Sequence, residues 1–334
     1  MPARRDVHRS TVDGCGEEWS TFGRGLLRVG RAGAPGNLPR MLTPRALAGR
    51  AVSRLADTVG HDLVRRHFYS PLPDLTGLPE SLWTTPRALI GVDLRVDDAI
   101  EFMQTTLKPY LAEFDPPHDP SEAATGFFID NSYYGSVDAE VLYAIVRHAK
   151  PGRVVELGSG ASSHVIALAR VANAADGAAF EHEIYDPFPF AAGRMGPVTG
   201  ARVQRVRAEE IDCGALAELL TADDILFVDT THTVKTGGDV DRIFLDLVPR
   251  LRPGVWVHVH DIFLPYEYPR YWVVDERRVW AEQYLLQAFL AFNDAFRVEF
   301  PAHAVAGTAP QALSEAVRSF RPGLTPGSFW MRRV

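Results

Sequence analysis

The sequence predicts an α/β protein built on a doubly wound, mainly parallel sheet, preceded by a helical segment. Three observations predict it. Val154-Val155-Glu156-Leu157 is a short apolar run after Pro151-Gly152; it breaks at Gly158-Ser159-Gly160 and resumes as Val165-Ile166-Ala167-Leu168-Ala169-Arg170. That is a strand turning through glycines into a helix. Ile225-Leu226-Phe227-Val228 is a second apolar run and ends in the acid Asp229. Helical spacing over 239–251, the turn Arg252-Pro253-Gly254 and the strand-like 255–261 follow in the order of a doubly wound second half.

Bulk properties bound the reading. A chain of 334 residues buries a full core. Hydrophobic residues make up 46% and charged residues 23%, the balance of a water-soluble globular protein. A formal net charge of −7 argues against nucleic acid or an anionic membrane as partner. Cys15 and Cys213 are too few and too far apart for a disulfide framework. No run is long and apolar enough to span a bilayer, and no signal-peptide core opens the chain, so a cytoplasmic location is expected.

Residues 1–40 are glycine-rich and without periodicity and read as a disordered leader, with Met41 a second candidate start. Residues 41–125 read as a helical N-terminal cap, and 126–334 as the ligand-binding domain. In the cap, Thr43-Pro44 reads as a helix start, and Leu47, Val52, Leu55, Val59 and Leu63 recur at helical spacing over 46–67. A second helix is expected over 98–113, with Phe102, Leu107 and Leu111 inward and a kink at Pro109. The cap either pads the sheet or walls a substrate pocket. The aromatic loop 127–135 precedes an amphipathic helix over 139–148 that delivers the chain into the first strand. Further strands are expected over 178–185, 200–206, 296–300 and 328–331, and a long helix over 277–296. That helix carries two apolar stripes, which suit core packing or a homodimer contact.

A strand–glycine–helix turn is a ligand-binding unit, because the backbone approaches closely and the helix offers free N–H groups and a positive dipole end. The dinucleotide fingerprint wants a third glycine where this chain has Ser163. Asp186 ends the second strand, where a carboxylate accepts both ribose hydroxyls of a nucleoside.

Glu156-x-Gly158-x-Gly160 resembles the first motif of Rossmann-fold (class I) S-adenosylmethionine-dependent methyltransferases. Phe227-Val228-Asp229-Thr230-Thr231-His232, Arg252-Pro253-Gly254-Val255, His260-Asp261-Ile262-Phe263, Tyr266-Glu267-Tyr268-Pro269-Arg270-Tyr271-Trp272 and Trp280-Ala281-Glu282-Gln283-Tyr284 resemble a bacterial group of that family, and the resemblance covers roughly 65–334. It implies a seven-stranded Rossmann-like sheet of order 3-2-1-4-5-7-6, with S-adenosylmethionine as cofactor. It further implies that Glu156, Gly158, Ser159, Gly160 and Ser162 hold the methionine end and Asp186 the ribose. Ala208 and Glu209 would then lie at the adenine, and Asp229 beside the sulfonium.

In that order strands four and five are neighbours, so Asp229, His232, His260 and Asp261 meet at one sheet edge. Such a set can hold a divalent ion such as Mg through Asp229, His260 and Asp261. It can also work without metal, His232 or His260 acting as general base toward an acceptor hydroxyl and Asp261 completing the catalytic set. Metal-dependent O-methyltransferases resembling this chain have an Asp-Asn pair where His260-Asp261 stands. His258 sits deeper and reads as a core histidine. Tyr266, Tyr268, Tyr271 and Trp272 are placed to line an acceptor site. The expected function is O-methylation of a small molecule, a sugar or natural product. N-methylation, a non-catalytic cofactor-binding protein and a nicotinamide-dependent oxidoreductase are the competing readings.

Overall fold

The computed structural model describes residues 52–334 except 54, 57, 65, 66, 124, 125 and 191–194. The leader and the candidate start at Met41 lie outside the described residues. Contacts divide the chain into two units, Met1–Ser70 and Pro71–Val334. In the first, positions 52–58 are helical where described, and the chain turns at Val59-Gly60, earlier than the spacing over 46–67 suggests. Val52, Leu55, Val59 and Leu63 are all exposed there.

The second unit opens with a short helix α1 (Ser81–Thr84), followed by α2 (Val96–Phe102), a π-helical stretch Met103–Leu107 and α3 (Lys108–Glu113). The expected helix over 98–113 therefore exists, and its interruption falls just ahead of Pro109. Proline donates no backbone hydrogen bond, and the wider π register is a way to pass it. Met103, Leu107 and Leu111 are buried, while Phe102 is half-buried against Trp256 with ring centroids 6.2 Å apart. These helices pack on α4 (Asp138–Ala149) and pad one face of the sheet.

The sheet has seven strands in the order 3-2-1-4-5-7-6. They are β1 (Arg153–Leu157), β2 (Glu181–Tyr185), β3 (Arg202–Gln204), β4 (Ile225–Val228), β5 (Trp256–Val259), β6 (Phe296–Pro301) and β7 (Phe329–Arg333). The first five run parallel; β7 lies antiparallel between β5 and β6, as expected. Side chains of a strand alternate between faces, and here both faces are covered. Val154, Ile225, Phe227 and Trp256 enter the core shared with α4 and with α5 (Ala161–Ala175). Val155, Leu157, Leu226, Val228 and Val257 enter the opposite core, shared with α6 (Cys213–Leu219), α7 (Asp239–Arg242) and the π-helical Ile243–Leu247.

Beyond β5 lie α8 (Arg270–Val274), α9 (Glu282–Leu290), α10 (Ala302–Thr308) and α11 (Pro310–Ala316). The long helix expected over 277–296 is thus the nine residues of α9. Arg277 has φ 57°, which no helix interior allows, and 277–281 is irregular chain. The stripes shift accordingly. Gln283, Leu286 and Leu290 are buried, whereas Tyr284 is partly and Phe292 largely exposed. No helix of the described residues is long and apolar enough to cross a membrane.

Candidate active site

The carboxyl ends of β1, β4 and β5 open on a cleft of about 650 Å³. One wall is the glycine turn: Ser159, Gly160, Ala161 and Ser162, the last two opening α5. Gly158 turns the chain with φ +95°, and a Cβ there would meet the Asp229 carbonyl oxygen at 1.9 Å. Only glycine permits β1 and β4 to leave the sheet so close together. At Gly160 a Cβ would meet nothing within 4 Å, so space is open above the turn. A wall of first-turn amides beside open space fits the carboxylate end of an amino-acid-bearing cofactor.

Glu156 does not face this space. It is fully buried, accepting hydrogen bonds from Ser162 Oγ at 2.7 Å and lying 2.9 Å from His182 Nε2. Its chemistry is to pin the turn from below. Asp186 accepts from Ser159 Oγ at 2.6 Å and from the Phe188 amide at 2.7 Å, so it is coupled to the turn, and each oxygen keeps a lone pair for a ribose hydroxyl. Ala208 and Glu209 form a 3-10 turn after β3, and neither lines the cleft.

Asp229, His232, His260 and Asp261 do come together on the cleft floor. His232 Nε2 lies 3.2 Å from Asp229 Oδ1 and 3.5 Å from Asp261 Oδ2. His260 Nδ1 lies 3.6 Å from Asp229 Oδ2 and 3.7 Å from Asp261 Oδ1. One ligand atom each of Asp229, His260 and Asp261 falls within 4.8 Å of the others. Two carboxylates and one imidazole on the floor of an open cleft suit a divalent ion that keeps open positions for water or substrate.

Three residues outside the expected set complete the floor. Glu282, the first residue of α9, reaches His232 Nδ1 at 2.7 Å, with both side chains buried. The amides of Ala281 and Glu282 donate to the His232 carbonyl at 2.9 and 3.2 Å, fixing that residue in its φ 56° conformation. Trp280 packs on the His232 ring with centroids 4.3 Å apart. Asp138 opens α4, accepts from the amides of Gly327 and Ser328, and approaches His260 Nε2 to 3.5 Å. Glu282 stands 50 residues from His232, and nothing in the sequence pairs them.

The charges follow from this packing. Burial by itself would lower His232, but hydrogen bonds to Asp229 and Glu282 and the charges of Glu282 and Asp261 overcome it and raise the ring to about 10. Burial likewise opposes the charged form of His260, yet Asp261, Asp229 and Asp138 hold it well above its ordinary value. Burial pushes the Asp229 carboxyl up, but the two imidazoles hold it far below the usual carboxylate range; solvent at the exposed third of the side chain screens part of this. Burial raises Asp261 and Glu282, and their histidine partners only partly reverse it. His258 is the core histidine expected, pushed well below its usual value by burial and by His260.

The rest of the lining is largely aromatic: Ser132, Tyr133 and Tyr134 from the 127–135 loop, and Tyr271, Trp272, Glu276, Arg278 and Trp280. Of the expected acceptor tyrosines only Tyr271 lines the cleft. Tyr268 is buried, accepting from the Gln283 amide, and Tyr266 packs on His303. Among the described residues the cap helices contribute nothing to the lining.

Comparison with known proteins agrees with this geometry. Residues 155–262 match a family model described as a methyltransferase domain. An uncharacterised protein of Archaeoglobus fulgidus is 29% identical over 121 residues, 34% of this chain; the match spans about half, 53%, of that relative. A candidate methyltransferase from Thermobifida fusca YX, solved at 1.95 Å, is 17% identical with a TM-score of 0.37, covering 78% of this chain and 99% of that one. The last likeness is too distant to bear on the assignment. The segment that matches the methyltransferase-domain model spans the glycine turn and all four floor residues, and it lies within a sheet of order 3-2-1-4-5-7-6.

Proposed function

We propose that the protein methylates a hydroxyl group of a small molecule held in the cleft, with His232 as the general base. The observation that carries this is the His232–Glu282 pair, a buried imidazole fixed by a carboxylate at one nitrogen, with its other nitrogen among the carboxylates of the cleft floor. S-adenosylmethionine, when bound, supplies an electrophilic methyl group on a sulfonium. The amides of the α5 first turn orient its amino-acid end, and Asp186 its ribose. Glu282 takes the Nδ1 proton of neutral His232 as a hydrogen bond, leaving Nε2 to accept the proton of the acceptor hydroxyl. As the acceptor oxygen takes the methyl group that the sulfonium would give up, its proton would pass to His232 Nε2. A hydroxyl needs this proton acceptor and a neutral amine does not, which favours O- over N-methylation. Because His232 is held at about 10, its neutral form is scarce at neutral pH, and turnover should climb as pH rises toward that value.

The test is S-adenosylhomocysteine release from paired sugar, phenol and amine acceptors by the wild type and His232→Asn. Hydroxyl-dependent release that falls at least ~100-fold in the variant is expected, the usual worth of a general base. Equal turnover in both proteins removes His232 from the chemistry.

One observation favours a second reading, a divalent ion held by Asp229, His260 and Asp261, whose ligand atoms lie within 4.8 Å of one another. Such an ion would bind and acidify the acceptor hydroxyl as a Lewis acid. Full activity after chelation and gel filtration would exclude this reading; loss restored by Mg or Mn would establish it.

A further inference from the structure

The cleft holds one guanidinium that the reaction as proposed does not use. Arg278 is the single arginine or lysine among the described lining residues; the other charged side chains there are Asp229, Asp261, Glu276 and the two histidines. Its guanidinium carbon sits 4.3 Å from the Trp272 ring centroid and 4.6 Å from that of Trp280. The two indoles meet edge to face at 5.1 Å, so they form a rigid angle in which the guanidinium rests. Glu276 Oε2 takes Nε at 2.6 Å. Neither Nη atom has a partner among the described residues. The end-on edge of a guanidinium, held by stacking and left open in a cleft, is a fork for a carboxylate or phosphate.

Position ties this fork to the reaction. Trp280 touches both the His232 ring and the Arg278 guanidinium, so one indole separates base from cation. The donor's own carboxylate would be served by the α5 amides, so it has no need of Arg278. We infer that the acceptor is a ring hydroxyl compound bearing an oxyanion, a carboxylate or a phosphate, and that Arg278 binds this group while the aromatic wall packs on the ring. The inference rests on the reading of the cleft as a methylation site and names the substrate class for it. It also explains how a cleft floored by two carboxylates accepts an acidic substrate: the acid is held away from Asp229 and Asp261, whose charges the floor imidazoles already engage, at the one guanidinium.

The test is calorimetric titration of the full chain, with and without S-adenosylhomocysteine, using ligands matched but for charge. Glucuronate and glucose 6-phosphate are compared with glucose, and 4-hydroxybenzoate with 4-hydroxybenzamide. At least one anion should bind about tenfold or more tightly than its neutral partner, as for a charge-assisted fork. Arg278→Gln should abolish that advantage. Glu276→Gln, which removes the negative charge competing for the guanidinium without removing the fork, should increase it. The sugar pair against the phosphate separates carboxylate from phosphate recognition. No anion binding more tightly than its neutral partner, an advantage that survives Arg278→Gln, or an advantage that Glu276→Gln fails to increase would each overturn the inference. So would a loss of S-adenosylmethionine affinity in Arg278→Gln with the anion advantage intact, which would assign the arginine to the donor. Failure of S-adenosylmethionine to bind the wild type would instead sink the methylation reading and leave the anion result standing.

Discussion

Replacing Glu282 by Gln separates a positioning carboxylate from a merely buried one. The substitution keeps shape and leaves an oxygen to accept from His232 Nδ1, but removes the negative charge 2.7 Å away. With side chains only 6% and 1% exposed, solvent screens little of that interaction. A hydrogen bond to a charged group contributes about 1.5–3 kcal/mol, or about 1–2 pH units at ~1.4 kcal/mol per unit. Removing an anion disfavours the protonated ring, so its pKa falls from about 10 toward roughly 8–9. The assay is the pH profile of kcat/KM between pH 6 and 10.5, with melting temperature as a control for folding. The wild-type profile should rise toward about 10, and that of Glu282→Gln should level off about 1–2 units lower at a reduced plateau, because a weaker base accepts the proton less readily. A limb at the same pH in both proteins refutes the reasoning, as does a limb that persists in His232→Asn.

Further outcomes follow from the same geometry. Asp186→Ala should weaken S-adenosylmethionine binding about tenfold or more by calorimetry, since it loses the tie to Ser159 and, on the proposed reading, the acceptors for the ribose; unchanged affinity would detach Asp186 from the cofactor. Gly158→Ala should destabilise the fold by about 3 kcal/mol or more in urea, because a positive φ and the Asp229 carbonyl at 1.9 Å both oppose a Cβ; a loss under about 1 kcal/mol would show that β1 and β4 can separate there. His258 is held well below its ordinary value in the folded state, so below about pH 6.5 only the unfolded chain takes up its proton. Stability should therefore fall between pH 6.5 and 4.5, by at most ~1.4 kcal/mol per unit from this residue, and less steeply in His258→Gln. His148 and His303 are lowered in the same direction, chiefly by burial, and add to the wild-type slope.

The sheet was legible because its strands are short apolar runs buried on both faces and bounded by Pro-Gly turns or acids. The runs at 154–157, 225–228 and 256–259 needed no tertiary information to read. The floor residues were legible for the same reason: Asp229 and His260-Asp261 directly follow adjacent strands. What could not be read is what depends on distant pairing. Trp280, Tyr284, Ala288 and Ala291 fit one helical stripe and Leu285, Phe289, Phe292 and Phe296 an adjacent one, which together look like core; a left-handed Arg277 instead breaks the helix and sets Trp280 against His232. Glu156 sits where a ligand-facing acid is expected, but His182 on β2 draws its side chain inward. The alanine-rich α10 and α11 carry too few large apolar residues for periodicity to reveal them.

The most direct measurement is a crystal structure of the protein soaked in S-adenosylhomocysteine. The amino-acid end should lie over the turn from Gly158 to Ser162 with the ribose at Asp186, and the sulfur should face Asp229, His232, His260 and Asp261. A cleft left vacant at saturating ligand, or a sulfur turned away from those four side chains, would contradict the account.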